Sequence, residues 1–158
     1  MIEPYQWLCA HANECGFPPT NIGPASVDLS LGEVKVYNRY SYKFDMVKGL
    51  HNGMYRFYPG NFYLCSTLEY IKVPPTHCAF VNMRSSLARR GLGHKMAGFI
   101  DPGFEGQVTL ELSTDAPVDV LPGERIVQII YSRLTEITEK VYSGKYKGQI
   151  GATEAYEV

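Results

Sequence analysis

The chain has 158 residues, of which 45% are hydrophobic and 20% charged, and its formal net charge is -1. That length fits one domain, and that balance supplies an apolar core, which excludes intrinsic disorder. A near-neutral chain carries no polybasic surface for nucleic acid or anionic lipid, so neither is expected as a partner.

In chain order, Tyr5 to Ala12 reads as a short N-terminal helix. Glu3, Pro4, His11, Asn13 and Glu14 break any apolar run there before it reaches the length of a signal h-region or a bilayer span. A cytoplasmic location is expected. Cys9, His11 and Cys15 lie close together but lack zinc-ligand spacing, and no C-x-x-C pair occurs anywhere. The four cysteines, Cys9, Cys15, Cys65 and Cys78, read as free thiols of a reducing compartment.

Short apolar runs then recur between turn signals. They cover Ser26 to Leu31, Val34 to Tyr37, Asn61 to Cys65, Tyr70 to Val73, Cys78 to Asn82, Gln107 to Leu112 and Arg125 to Tyr131. Proline and glycine punctuate them at Pro18-Pro19, Pro59-Gly60, Pro74-Pro75, Pro102-Gly103 and Pro122-Gly123. Many short strands broken this way predict an all-β sandwich or barrel. One interior helix interrupts them: Ser85 to Arg90, with a serine suited to the N-cap and Gly91 as the stop. The last stretch, 142–158, is rich in Gly, Lys and Tyr without periodicity and reads as a flexible tail on a single domain of 1–158.

Three segments are chemically suggestive. In Gln107 to Leu112, strict alternation puts Val108, Leu110 and Leu112 on one sheet face and Gln107, Thr109 and Glu111 on the other. Glu111 is then either a solvated strand carboxylate or a proton carrier projecting into a pocket. Arg84, Ser85, Ser86 and Arg89 combine fixed cations, hydroxyls and a helix start, an arrangement suited to phosphate, or else they form an ordinary capped surface helix. Gly98 to Gly106 is turn-rich: Asp101 before Pro102-Gly103 is either simple turn chemistry or a site carboxylate, and Phe104 is a candidate stacking surface for a base or sugar.

Taken in order, the blocks Pro24 to Gly32, Arg84 to Leu92, Ala97 to Gly106, Thr109 to Leu112, Pro122 to Glu124 and Gly144 to Gln149 resemble the dCTP deaminase branch of the dCTP deaminase and dUTPase superfamily. The resemblance implies a distorted β-barrel of jelly-roll type with one or two short helices. It also implies a homotrimer with active sites where subunits meet, each taking a deoxycytidine nucleotide with Mg2+ on its phosphates. The implied reaction is hydrolytic conversion of dCTP to dUTP and ammonia. Zinc deaminases need H-x-E and a later P-C-x-x-C. Here His11 is followed by Ala12 and Asn13, so no zinc and no protein-held metal is expected.

By that resemblance Glu111 is the catalytic glutamate that activates water and protonates the base. Ser85 and Arg89 help to order water, glutamate and nucleotide, and the carbonyl of Ala97 positions the attacking water. Arg84 and Ser86 match triphosphate contacts, and Asp101 faces the deoxyribose. Phe104, Thr109 and Leu110 complete the nucleotide contacts, and Tyr142, Lys145 and Gln149 match tail residues that close over the phosphates.

The chain departs from the family pattern between Arg89 and Glu111, a stretch one residue shorter with Gly93 to Met96 in place of a more apolar run, and in a tail carrying Thr153 to Tyr156 where Ser-Arg is common. Those departures leave open a monophosphate or modified-cytosine substrate, with His94 either a pocket residue or a loop residue. A dUTPase, or an enzyme combining both activities, is the rival within the superfamily, because Asp101 also aligns with the dUTPase water-activating carboxylate. Ser86 and Pro102 to Phe104 stand where dUTPases usually carry R-S-G-L-A and D-x-D-Y-R-G. A nucleotide-sensing protein without turnover is the rival outside catalysis.

Overall fold

The computed structural model describes residues 1–156; Glu157 and Val158, the end of the expected tail, lie outside the described residues. The described residues form ten strands and two α-helices, with one 3-10 turn at Pro19–Asn21: α1 (Tyr5–Cys15), β1 (Val27–Asn38), β2 (Lys43–Met46), β3 (Tyr55–Phe57), β4 (Tyr63–Lys72), β5 (His77–Met83), α2 (Ser85–Ala88), β6 (Leu92–His94), β7 (Phe99–Ile100), β8 (Glu105–Thr114), β9 (Val118–Val120) and β10 (Arg125–Arg133). The main sheet runs β6-β8-β4-β1-β10-β5-β7, with β2 paired to β1 and a separate β3-β9 ribbon. It curls into a half-barrel, as the all-β, jelly-roll expectation requires.

Two pairs of expected strands turn out to be single long ones. Ser26 to Leu31 and Val34 to Tyr37 are halves of β1, which pairs with β10 in its first half and β4 in its second. The break between them is a β-bulge at Gly32-Glu33, where the register against β4 shifts. Asn61 to Cys65 and Tyr70 to Val73 likewise join as β4, whose register against β8 shifts between Ser66 and Tyr70. The apolar runs are interrupted at these bulges and so read as separate strands. The strands β2, β3, β6, β7 and β9 escape the apolar-run criterion because they have only two to four residues each.

The core lies inside the curl, where Leu29, Leu31, Ile71, Leu110, Leu112, Ile126, Ile129 and Tyr131 are fully buried. Burying each such side chain contributes roughly 1.5–3 kcal/mol of transfer free energy. α1 packs into the core through Leu8, and it runs three residues further than expected, to Cys15, before the left-handed φ of 70° at Gly16 ends it. α2 is a single turn whose cap position is Arg84; no serine hydroxyl makes a capping bond, contrary to expectation. No helix among the described residues is long and apolar enough to cross a membrane.

Candidate active site

β8 carries the burial pattern that its sequence alternation predicts, buried and half-buried residues alternating over its whole length. Val108, Leu110 and Leu112 face the core, so Thr109 and Glu111 face the opposite side. There they border a cavity of about 430 Å³ whose lining also includes Ala97, Asp101, Phe104, Tyr142 and Gln149. Seven of the thirteen residues singled out from the sequence therefore meet at one place. Phe44, Phe62 and Leu64 supply an apolar wall, Leu64 standing opposite Glu111 in the β4–β8 ladder. Mostly apolar walls with a few convergent polar groups suit a flat heterocycle attached to a polar tail.

The decisive contact at Glu111 comes from β6. His94 pairs opposite Leu112, and its Nε2 lies 3.1 Å from Oε2 of Glu111. A carboxylate only accepts, so the neutral ring must carry its proton on Nε2 and donate. Lys95 N–H donates to the Glu111 carbonyl at 2.9 Å, fixing the backbone of the same residue. The His94 side chain is thus buried and not that of an exposed loop histidine, 5% exposed against 28% for the glutamate it holds, but it stands behind Glu111 and does not itself line the cavity.

Close strand crossing fixes the next turn. A Cβ at Gly98 would meet the Val81 carbonyl oxygen at 2.4 Å, so only glycine lets β7 lie against β5 there. This seats Ala97 beside the cavity on one flank of Glu111. Asp101 accepts the Phe104 N–H at 3.2 Å in the turn that follows, and Phe104 is buried edge-on against Tyr142, 5.7 Å between ring centres. Phe104 forms cavity wall in that position.

The tail lies along β8. Tyr142 N–H donates to Pro102, Gly148 N–H to Glu105 and Gln107 N–H to Gln149. Gly106 and Gln149 form a parallel bridge, and a Cβ on Gly106 (φ 149°) would meet Gln149 at 3.2 Å. Backbone hydrogen bonding, which needs no apolar periodicity, explains why this segment lacked a strand signature. Tyr146, Thr153 and Ala155 join the cavity lining from it. β6 covers the outer edge of β8 from Leu112 to Thr114 and the tail covers it at Gly106. Between them, at Thr109, no strand among the described residues pairs with that edge, and at Glu111 the edge is met by the Lys95 N–H alone among the described residues.

The remaining predicted residues stand elsewhere. Arg84, Ser85, Ser86 and Arg89 do not line this cavity; the two serines and Arg89 are exposed on α2 and its end, and Arg84 Nε sits 3.3 Å from Asp28 Oδ2. Lys145 is exposed on the tail. Leu110 has a fully buried side chain opposite Cys65 in the ladder, on the core face and not toward the cavity. Among the described residues no three or more His, Cys, Asp or Glu side chains are grouped to hold a metal ion, and all four cysteines are free. His11 instead bonds the Lys72 carbonyl at 2.8 Å.

Residues 10–134 match the dCTP deaminase-like family. An Aquifex aeolicus (strain VF5) protein, "dCTP deaminase, dUMP-forming", is 42% identical over 159 residues, covering 95% of this chain and 82% of that one. A protein of the same description from Persephonella marina (strain DSM 14350 / EX-H1) is 40% identical over 145 residues, 84% and 81% of the two chains. The crystal structure of 2'-deoxycytidine 5'-triphosphate deaminase from Agrobacterium tumefaciens is similar in fold, with a TM-score of 0.67 and 16% identity over 87% of this chain. This chain spans half the length of that one.

Proposed function

The chain belongs to the dCTP deaminase-like family, and from that premise we propose that it converts dCTP to dUMP, with Glu111 as proton carrier. The expected product shifts here from dUTP to dUMP, because the similar proteins from Aquifex and Persephonella are described as dUMP-forming. The observation that carries the reading is the placement of Glu111 in the cavity, braced by His94 and flanked by Ala97, Thr109 and Asp101.

The cytosine ring lies against the apolar wall, its polar edge toward the open edge of β8 at Thr109 and the Glu111 carboxylate. Water held between the Ala97 carbonyl and the Glu111 carboxylate attacks C4, forming the C–O bond as its proton passes to Glu111. Glu111 delivers that proton to N3, then takes the proton of the new hydroxyl to the amine as the C4–N bond breaks and ammonia leaves. His94 donates to Oε2 and leaves Oε1 directed at the water. A second water, activated by Asp101, attacks the α-phosphorus; the P–O bond to the β-phosphate breaks and diphosphate departs with dUMP remaining.

Phosphate charge requires cations that the cavity of a single chain does not supply. Arg84 and Arg89, with the hydroxyls of Ser85 and Ser86, meet that need from a neighbouring copy in a homotrimer, which is consistent with the exposure of Ser85, Ser86 and Arg89 and with the absence of all four from their own chain's cavity. Lys145 joins from the tail. Magnesium would arrive with the nucleotide and offset the charge of its phosphates, and no step is assigned to it.

Incubating the protein with dCTP and with dUTP separately, while measuring ammonia, diphosphate and nucleotide products, tests this reading. Ammonia, diphosphate and dUMP from dCTP are expected. Accumulated dUTP would reduce it to a simple deaminase, and diphosphate from dUTP without ammonia from dCTP would make it a dUTPase. Nucleotide binding with neither product would leave a sensor.

A further inference from the structure

We propose that Glu33 is a positioning residue that latches the C-terminal tail over the active site, an inference that rests on the nucleotide-site reading above. Glu33 lies outside the cavity, on the bulge of β1. Gly32 sets that bulge: a Cβ there would meet Ser66 Oγ at 2.6 Å and the Ser66 and Thr67 carbonyl oxygens at 3.1 Å. Ser66 Oγ in turn accepts the Glu33 N–H at 3.0 Å. The extra residue turns the Glu33 side chain off the ladder and onto the tail.

Its carboxylate accepts the Ala152 N–H at 2.9 Å, a bond strengthened by the charge on the acceptor. At Gly151 the chain passes so close that a Cβ would meet Glu33 Oε2 at 2.4 Å, and its φ of 72° also favours glycine. Gln107 works beside it: its Oε1 accepts the Gly151 N–H at 2.6 Å, and its carbonyl accepts from the Gln149 side chain at 2.7 Å. Downstream, Thr153 N–H donates to Thr109 Oγ1 at 3.1 Å. Ala152, the residue gripped by Glu33, is therefore bracketed by Gln149 and Thr153, both of which line the cavity. Releasing it would let both withdraw together, and Glu33 would act on nucleotide affinity without touching nucleotide.

The test compares the intact protein with Glu33→Ala and Glu33→Gln. Trypsin cleavage after Lys145 and Lys147 should accelerate about tenfold in E33A, the scale set by losing one charge-assisted hydrogen bond, and E33Q, whose amide oxygen still accepts, should restore most of the protection. With dCTP, E33A should raise KM by a similar factor and leave kcat within about twofold. Wild-type cleavage rates in E33A, or faster cleavage with KM unmoved, would overturn the latch. Proteolysis needs no turnover, so a wild-type protein that released no ammonia would defeat the deaminase reading while the tail's cleavage still decided the role of Glu33.

Discussion

The imidazole of His94 and the carboxylate of Glu111 are paired at 3.1 Å across the β6–β8 edge, with the histidine on the buried side and the glutamate on the cavity side. One carboxylate oxygen, Oε2, is therefore committed to a buried donor. The pairing also makes each partner separately testable.

Replacing Glu111 with Gln preserves shape and leaves an amide oxygen for His94, but the amide cannot take a proton from water. Deamination should fall by on the order of 10² to 10⁴, the usual contribution of a positioned acid–base group, with nucleotide binding and thermal stability retained. Ammonia release and isothermal binding with dCTP check this. Near-normal turnover would remove Glu111 from the chemistry.

Replacing His94 with Leu removes the donor and leaves the carboxylate free to rotate. The rate kcat should drop about 10- to 100-fold, as expected for losing a hydrogen bond to a charged group, with KM little changed. His94→Gln keeps an N–H donor and should recover most of the loss. Equal kcat in the leucine variant would show that Glu111 is oriented by other means.

Much of this site was legible because strand alternation is a strong local rule: the face shared by Thr109 and Glu111 follows from residue order alone, and the turn carrying Asp101 and Phe104 leads directly into it. Ladder partners are set by pairing between distant segments, so Leu64 opposite Glu111 and His94 beside it were not readable from the residue run. Glu33 was hidden for a different reason. A bulge carries no composition signal of its own, and Gly32-Glu33 looked like a break between strands when it is a kink within one. Serine before a helix suggested a cap, but a single turn lets Leu87 and Ala88 N–H bond the Arg84 carbonyl directly.

A site shared between copies predicts complementation. Arg89→Ala and Glu111→Gln proteins should each be inactive, whereas a one-to-one mixture allowed to exchange subunits should recover about a quarter of the wild-type sites, because a random neighbour restores both groups in one site of four. Ammonia release from the mixture, against each parent, is the measurement. Full inactivity with exchange shown by mass spectrometry would place Arg89 and Glu111 in the same subunit's site.

Metal dependence should divide cleanly. A zinc-selective chelator should leave ammonia release unchanged, whereas removing magnesium should weaken dCTP binding, since the phosphates would lose their counter-charge. Inactivation by the zinc chelator, reversed by added zinc, would contradict the water activation assigned to Glu111.

Acid sensitivity should arise far from the cavity, at the α1 packing site. His11 is buried against Trp7 at 4.6 Å and Tyr131 at 5.0 Å, with Cys15, Glu14 and His77 also facing it. Burial is the largest influence and holds its pKa below 6.5, although the Lys72 carbonyl and Glu14 pull the other way. Below that value the unfolded chain takes up the proton before the folded one does, so neutral His11 stabilises fully above about pH 6.5 and progressively less as pH falls through the folded pKa. Glu3 adds a second loss at lower pH: burial alone would raise it, but hydrogen bonds from His77 and Arg133 bring it below 4.5. Tm should therefore decline from pH 7.5 to 5.5. His11→Gln, which can still donate to Lys72 but does not titrate, should melt lower at pH 7.5 and change less across that interval; an undiminished pH slope in this variant would assign the sensitivity to other groups.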